Sequence, residues 1–353
     1  MIPTEPIGSI PRPLKLIRAV AESGDPSAPQ LDELYEEAIC DTIKRFEMTG
    51  SPVITDGEQR KYHNFWTYSV HGLANTAPDG FKIPFNAGHT RLMPRLTAGP
   101  FRYKVYADSY LDIALRYATV PVKQAVISPS ALSLMYPPEA IPGYSRHDFI
   151  DDLLHEHEKE VRRCLQKGAH KVQIDFTEAR LAVKLDPTGQ LLNSFIELNN
   201  IALSRFSAED RARIGIHTCP GADCDSTHSA EVDYAQLLPS LLQLHAGNFY
   251  IALAGEQDRE RVLRIIRDEM KPDQKIFVGV VAPINPRVET PDEICEQILL
   301  AAKYIPLGQL GTTDDCGYSP FSDDISTTRD TAFAKIHARI TGTKQATDII
   351  EGR

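Results

Sequence analysis

The sequence contains no apolar run approaching the ~20 residues that span a bilayer, and its opening MIPTEPIGSIPRP lacks the basic start and apolar stretch of a secretory leader. A cytoplasmic protein with no membrane partner is the expectation. Runs rich in Lys and Arg are missing too. With 38 basic against 48 acidic residues the formal net charge is −10, which gives a nucleic-acid partner no electrostatic basis. Cysteine is sparse: the six, Cys40, Cys164, Cys219, Cys224, Cys295 and Cys316, are scattered through 353 residues. A chain of this size needs no disulfide staples, so any special cysteine is metal-binding or catalytic. There is no internal repeat, low-complexity tract or interdomain linker, and residues 1–349 are expected to form one domain. Residues 350–353, IEGR, spell a protease recognition site of the kind appended to expressed proteins and are set aside. Tryptophan occurs once, at Trp66.

Eight short segments read as strands: 6–9, 52–58, 124–130, 172–176, 213–219, 249–253, 276–281 and 310–316. Most are continuous runs rich in Val and Ile, the pattern of parallel strands covered on both faces. Helical periodicity fills the intervals, most clearly over 31–50, 149–169 and 291–304. Alternating strands and helices in this number predict an α/β fold, a (β/α)8 TIM barrel whose active site lies at the carboxyl ends of the strands. Glu58, Asp175, His217, Cys219 and Cys316 all fall at or just beyond such ends. The stretch 59–122 is too long for a simple helical return. It predicts an insertion between the second and third strands that covers or extends the mouth.

Residues two apart on a strand share a face, so His217 and Cys219 can converge on one point. Imidazole and thiolate together suit Zn2+, and Cys316 at the end of the eighth strand is the candidate third ligand. Cys224 and His228 are rival ligands on the following loop. The alternative is that His217 and the two cysteines are buried core residues.

The segments IGS (7–9), VITDGEQR (53–60), QID (173–175), HTC (217–219) and DCG (315–317) resemble, in order and over nearly the whole chain, the catalytic domain of the cobalamin-independent methionine synthase superfamily. The resemblance implies zinc bound by His217, Cys219 and Cys316. A family Glu completes the site; Leu253 stands in its place, and Glu256 is the nearest carboxylate and the candidate fourth ligand. The resemblance further implies that Ile7, Gly8, Ser9, Glu58 and Asp175 hold the amino-acid part of a homocysteine-like thiol. Zinc carrying sulfur and nitrogen ligands activates a bound thiol as thiolate, the form that attacks in alkyl transfer. A thiol carrying an ammonium group would use the two carboxylates as counter-charges. One carrying sulfonate or carboxylate needs cations, for which Arg12, Arg60, Lys61, Arg180 and Lys184 are candidates. Glu58 and Asp175 read equally well as helix-capping acids.

Two features depart from the synthases. Their Asp-x-His acid is replaced by Ala282 and Ile284, and their folate-stacking Trp by Met135. The segments 175–187, 217–229, 278–291 and 311–324 resemble instead the branch containing epoxyalkane:coenzyme M transferase. That likeness implies epoxide opening by a thiolate, with Tyr318, Asp314, Asp315 or His63 as proton donor. The leading expectation is therefore a zinc enzyme that alkylates a small thiol by epoxide opening. The alternatives are a short methionine synthase that methylates homocysteine, and a barrel that binds zinc or thiol without catalysis. The expected partners are a small thiol and an alkyl donor, with homo-oligomerisation left open.

Overall fold

The computed structural model describes residues 1–61 and 64–352. Six parallel strands lie side by side in chain order: Gln124–Ile127, Val172–Asp175, Ile214–Thr218, Asn248–Ile251, Lys275–Gly279 and Leu310–Thr313. All their residues are buried except Lys275, which explains why the sequence shows apolar runs with no alternation.

The first two expected strands are shorter than their apolar patterns suggest. Each is a single parallel bridge, Thr4 with Thr312 and Ile54 with Val122. The first bridge lies upstream of the expected 6–9, so Ile7 to Ser9 run past the sheet toward the mouth. Ile10 N–H donates to the Gly57 carbonyl at 3.0 Å and the Thr55 hydroxyl to the Gly8 carbonyl at 2.7 Å, joining these two segments to each other. The architecture is the α/β barrel expected from the alternation of elements.

Large and small residues alternate across the barrel interior, as filling it requires. Tyr250 and Phe277 stack at 4.8 Å between ring centroids. A Cβ at Gly215 would come within 2.5 Å of the Tyr250 ring, and one at Gly311 within 2.4 Å of the Phe277 ring.

Helices Asp32–Met48, Arg146–Lys167 and Pro291–Ala301 match the periodic segments to within a few residues. The second begins with a Ser145/Asp148 capping box and stops at Gly168, whose φ of 104° is left-handed. The third begins with the Thr290/Glu293 box and Pro291 at its first turn. The last helix, Arg329–Ile350, runs into the terminal IEGR, and Glu351 accepts the Met1 ammonium at 2.7 Å. No described helix is long and apolar enough to cross a membrane.

The insertion 59–122 has little regular structure: two short antiparallel ladders and the helix Asp108–Tyr117. Buried irregular backbone needs partners for its N–H groups. Asp152, Glu156 and Glu160, four apart on one face of Arg146–Lys167, supply them by accepting from Phe101, Tyr103 and Ala107 at 2.9–3.1 Å. Burial pushes the Glu160 carboxyl up to about 7.

Gly311→Ala tests the barrel packing. Phe277 has to shift, and we expect a loss of about 1–3 kcal/mol in urea unfolding; unchanged stability would show that the interior has slack there.

Candidate metal centre

Strand Ile214–Thr218 delivers His217 and Cys219 to one side, and the turn after Leu310–Thr313 delivers Cys316. Their ligand atoms all lie within 4.8 Å of one another, and the two sulfurs are 3.2 Å apart. All three residues are buried. Asp175 is the register partner of His217 on the neighbouring strand, and its carboxylate lies 3.1 Å from His217 Nδ1. A proton on Nδ1 shared with this carboxylate leaves Nε2 to a metal. The carboxylate is itself held by Gln173 Nε2 at 2.8 Å, and Gln173 Oε1 accepts from the buried Lys123 ammonium at 2.7 Å.

The three groups polarise one another. Burial alone would raise the Cys219 thiol, but the hydrogen bond from Cys316 and the His217 charge bring it down to about 5. Burial would lower His217, yet the Cys219 thiolate and Asp175 lift it to about 10. Cys316 is pushed well above the usual thiol range by its hydrogen bond to Cys219 and by burial. One imidazole and two sulfurs at these separations fit zinc.

The expected fourth ligand does not join them. Glu256 is bound by Arg180 at 3.0 Å and falls outside the three-residue cluster. Arg180 is in turn committed to Glu256, to the Ala230 and Val232 carbonyls and to the Tyr234 ring, and does not line the cavity at the metal cluster. Arg60 lies farther out, paired with Asp32 and stacked on Tyr35. Arg12 donates to main-chain carbonyls of Glu58, Gln59 and Lys61, Lys61 binds Glu58 and the Ala125 carbonyl, and Lys184 binds Glu231 and the His228 carbonyl. The sequence offered these five cations as anion ligands; structural partners occupy all of them.

A narrow cavity of about 40 Å³ lies against the cluster. Ile7, Ser9, Glu58 and Asp175 form its floor with the three metal-binding candidates, while Gly8 is tied to Thr55 and is not part of the lining. Phe65, Trp66, Ile83 and Phe85 from the insertion, with Phe321, supply its apolar wall. Its lining includes two carboxylates and no Lys or Arg among the described residues. His228 also lines it, but burial drives that imidazole down to about 3, and its Nδ1 meets Ser229 Oγ at 2.7 Å. Cys224 groups with His89 and Asp223 instead. Asp223 there is gripped by Arg91 at 2.6 and 2.7 Å, a cation already in place, and burial pushes the Cys224 thiol up to about 12.

Of the expected proton donors, Tyr318 does not face the cavity. It donates to Asp314, which is paired with Arg339, and burial raises its pKa well above the tyrosine range. Asp315 accepts the N–H groups of Leu253, Ala254 and Gly255 and so serves as a loop anchor. His63 lies outside the described residues. Ala282 and Ile284 line a second cavity of about 510 Å³, which shares Gly221, Ala222 and Cys316 with the first. Phe85, Thr177 and Gln173 were not singled out as site residues from the sequence, since only the fold brings them to the cluster.

Asp175→Asn is expected to weaken zinc binding roughly ten- to hundredfold in competition with a chromophoric chelator; an unchanged affinity would rule out Asp175 as the orienting partner. Because His217 and Cys316 hold their protons above neutrality, zinc binding must release protons, and affinity should rise with pH through the neutral range.

Residues 2–329 match the family described as cobalamin-independent synthase, catalytic domain. The chain is 22% identical over 346 residues to a methionine synthase of Sulfurisphaera tokodaii, covering 98% of this chain and 92% of that protein. It is 23% identical over 326 residues to one of Pyrococcus abyssi, covering 90% and 86%. A solved B12-independent methionine synthase from a Shewanella strain superposes with a TM-score of 0.77 at 16% identity, over 100% of both chains. A putative one from Listeria monocytogenes gives 0.72 at 20%, over 99% of both. The epoxide-opening branch gains no support from these relatives, whose names are those of methionine synthases. By the match over residues 2–329, this chain belongs to the cobalamin-independent methionine synthase catalytic-domain family.

Proposed function

We propose that the protein transfers a methyl group to the sulfur of a small aminothiol of the homocysteine type, with zinc held by His217, Cys219 and Cys316. The observation that carries this reading is the charge of the cavity beside the cluster: Glu58 and Asp175 line it, and no described lysine or arginine does. An ammonium group finds two carboxylates there, Asp175 and the Glu58 that Lys61 also binds. A sulfonate such as that of coenzyme M would face two carboxylates with no cation in the lining, and this disfavours the epoxide reading. The methionine synthase names of the relatives point the same way.

Bound zinc would lower the pKa of the incoming thiol so that it reacts as thiolate at neutral pH. The chain's own residues do the rest. Asp175, fixed by Gln173, orients His217 and presents its remaining oxygen to the substrate ammonium. Glu58, tied at 3.2 Å to Lys61 and raised by burial above the usual carboxylate range, is a second acceptor at the same end. Ser9 offers its hydroxyl for the substrate carboxylate, while Ile7, whose N–H goes to Asp314, lines the cavity as an apolar contact. The apolar wall keeps water from the sulfur and favours attack on carbon.

Zinc X-ray absorption spectra of the metal-loaded protein test this. Homocysteine should add one sulfur neighbour at about 2.3 Å, and coenzyme M none. The reverse result would return the site to the sulfonate thiol, and no response to any thiol would leave a zinc-binding barrel without this chemistry.

A further inference from the structure

The wall above the metal cluster carries a feature that acceptor binding does not use. Phe65, Trp66 and Phe321 pack as one aromatic group, with centroids 5.8–6.2 Å apart, and Phe85 adds its ring edge-on to Phe321 at 6.2 Å. All four line the cavity on which the sulfurs open. Aromatic faces attract cations, above all alkylated ones that shed water cheaply. One face of Phe321 already shows this: the Arg91 guanidinium sits 4.2 Å from its centroid, with its charge met by Asp223 and Asp323. A second observation is independent of the rings. Trp66 is 3% exposed, and its indole Nε1–H has no hydrogen-bond partner among the described residues. A buried donor left unpaired is destabilising, and a ligand acceptor that reaches it would satisfy it.

We propose that this aromatic wall binds the methyl donor, and that the donor is a carboxylated onium compound, a sulfonium or quaternary ammonium whose carboxylate accepts from Trp66. The inference rests on methyl transfer at this site. Its chemistry balances without further reagents. The acceptor thiol gives its proton to solvent, its sulfur forms a bond to the methyl carbon, and the carbon–onium bond breaks. That electron pair stays on the leaving sulfur or nitrogen, which departs as a neutral thioether or tertiary amine. Such a leaving group needs no proton, consistent with a wall whose His228 is held neutral and from which Tyr318 is absent, bound instead to Asp314. The space of about 40 Å³ holds only a few waters. A donor therefore needs more room, which the neighbouring cavity of about 510 Å³ at Cys316 or a shift of the hairpin Lys82–Pro84 and Thr90–Leu92 off Asp223 would supply.

Trp66 is the only tryptophan, so its emission reports on the wall directly. Zinc-loaded protein with homocysteine would be titrated with dimethylsulfonioacetate, with glycine betaine, and with 3,3-dimethylbutanoate, the uncharged-head isostere. At least one onium should change the emission saturably and bind at least about tenfold tighter than the isostere. Equal affinity for the isostere, or no response to either onium, overturns the proposal. Phe321→Leu should remove the onium preference and leave isostere binding unchanged; equal loss of both would mean packing alone and would also overturn it. Phe65→Leu serves the same purpose should the first variant fold poorly. Mass spectrometry for methionine reads transfer separately and tells sulfonium from ammonium. Selective onium binding without methionine would fail the functional reading above while upholding the donor pocket.

Discussion

The site depends on the parallel bridge that closes the barrel between Thr4 and Thr312. Thr312 N–H donates to the Pro3 carbonyl at 2.9 Å, and Glu5 N–H to the Thr312 carbonyl at 3.0 Å. This joins the two ends of the chain and sets the Ile7–Ser9 segment against the Asp315–Gly317 turn. Tyr318 N–H then donates to the Ser9 carbonyl at 3.0 Å, and Ser319 N–H to Ser9 Oγ at 3.2 Å. A Cβ at Gly317 would meet Ser9 Oγ at 2.1 Å, so only glycine permits the approach. Without closure, Ile7 and Ser9 would have no fixed relation to Cys316, whereas Cys219, just past a strand three places away, is tied to Cys316 through the sheet itself.

Beneath the cluster the barrel interior is charged as well as aromatic. Glu5 accepts from Lys171 at 2.6 Å and from Tyr250 at 2.6 Å, and the Lys123 ammonium lies 3.9 Å away. Burial brings Lys123 down to about 7, against the pull of Glu5. From Lys123 the hydrogen bonds continue through Gln173 and Asp175 to His217. Buried charges are costly unless every partner is in place, so such a chain tolerates few alternative arrangements. His217, held at its end, inherits that rigidity, which is what a metal site would require of it.

The insertion works by the opposite principle. It has little core of its own and is fixed from outside, by the Asp152, Glu156 and Glu160 carboxylates on one side and by Asp223 on the other. The first set holds its base against the helix Arg146–Lys167. The second grips the hairpin that carries Ile83 and Phe85 over the metal cluster. The aromatic wall is thus continuous with the main hydrophobic core and is gripped at its rim by polar contacts.

The barrel was legible in the sequence because strands buried on both faces must be apolar throughout, and because the alternating helices carry their own boundary signals, a stop at Gly168 and a start at Pro291. The shortness of the first two strands was not, since Ile7 and Val53 are apolar for reasons other than pairing. His217 and Cys219 could be read as a pair from strand geometry alone, and Cys316 from its place at the end of the last strand. The roles of Glu256, Arg180, Arg60 and Tyr318 could not. Each is a charged or polar group near a strand end, and only the tertiary neighbours decide whether it faces the cavity or another side chain. The sequence by itself determined the order of elements and the ligand pair, because both follow from periodicity along the chain. The tertiary structure alone decided that the five cations are committed elsewhere, which carboxylates line the cavity and which rings roof the cluster of His217, Cys219 and Cys316, because those depend on contacts between residues far apart in sequence.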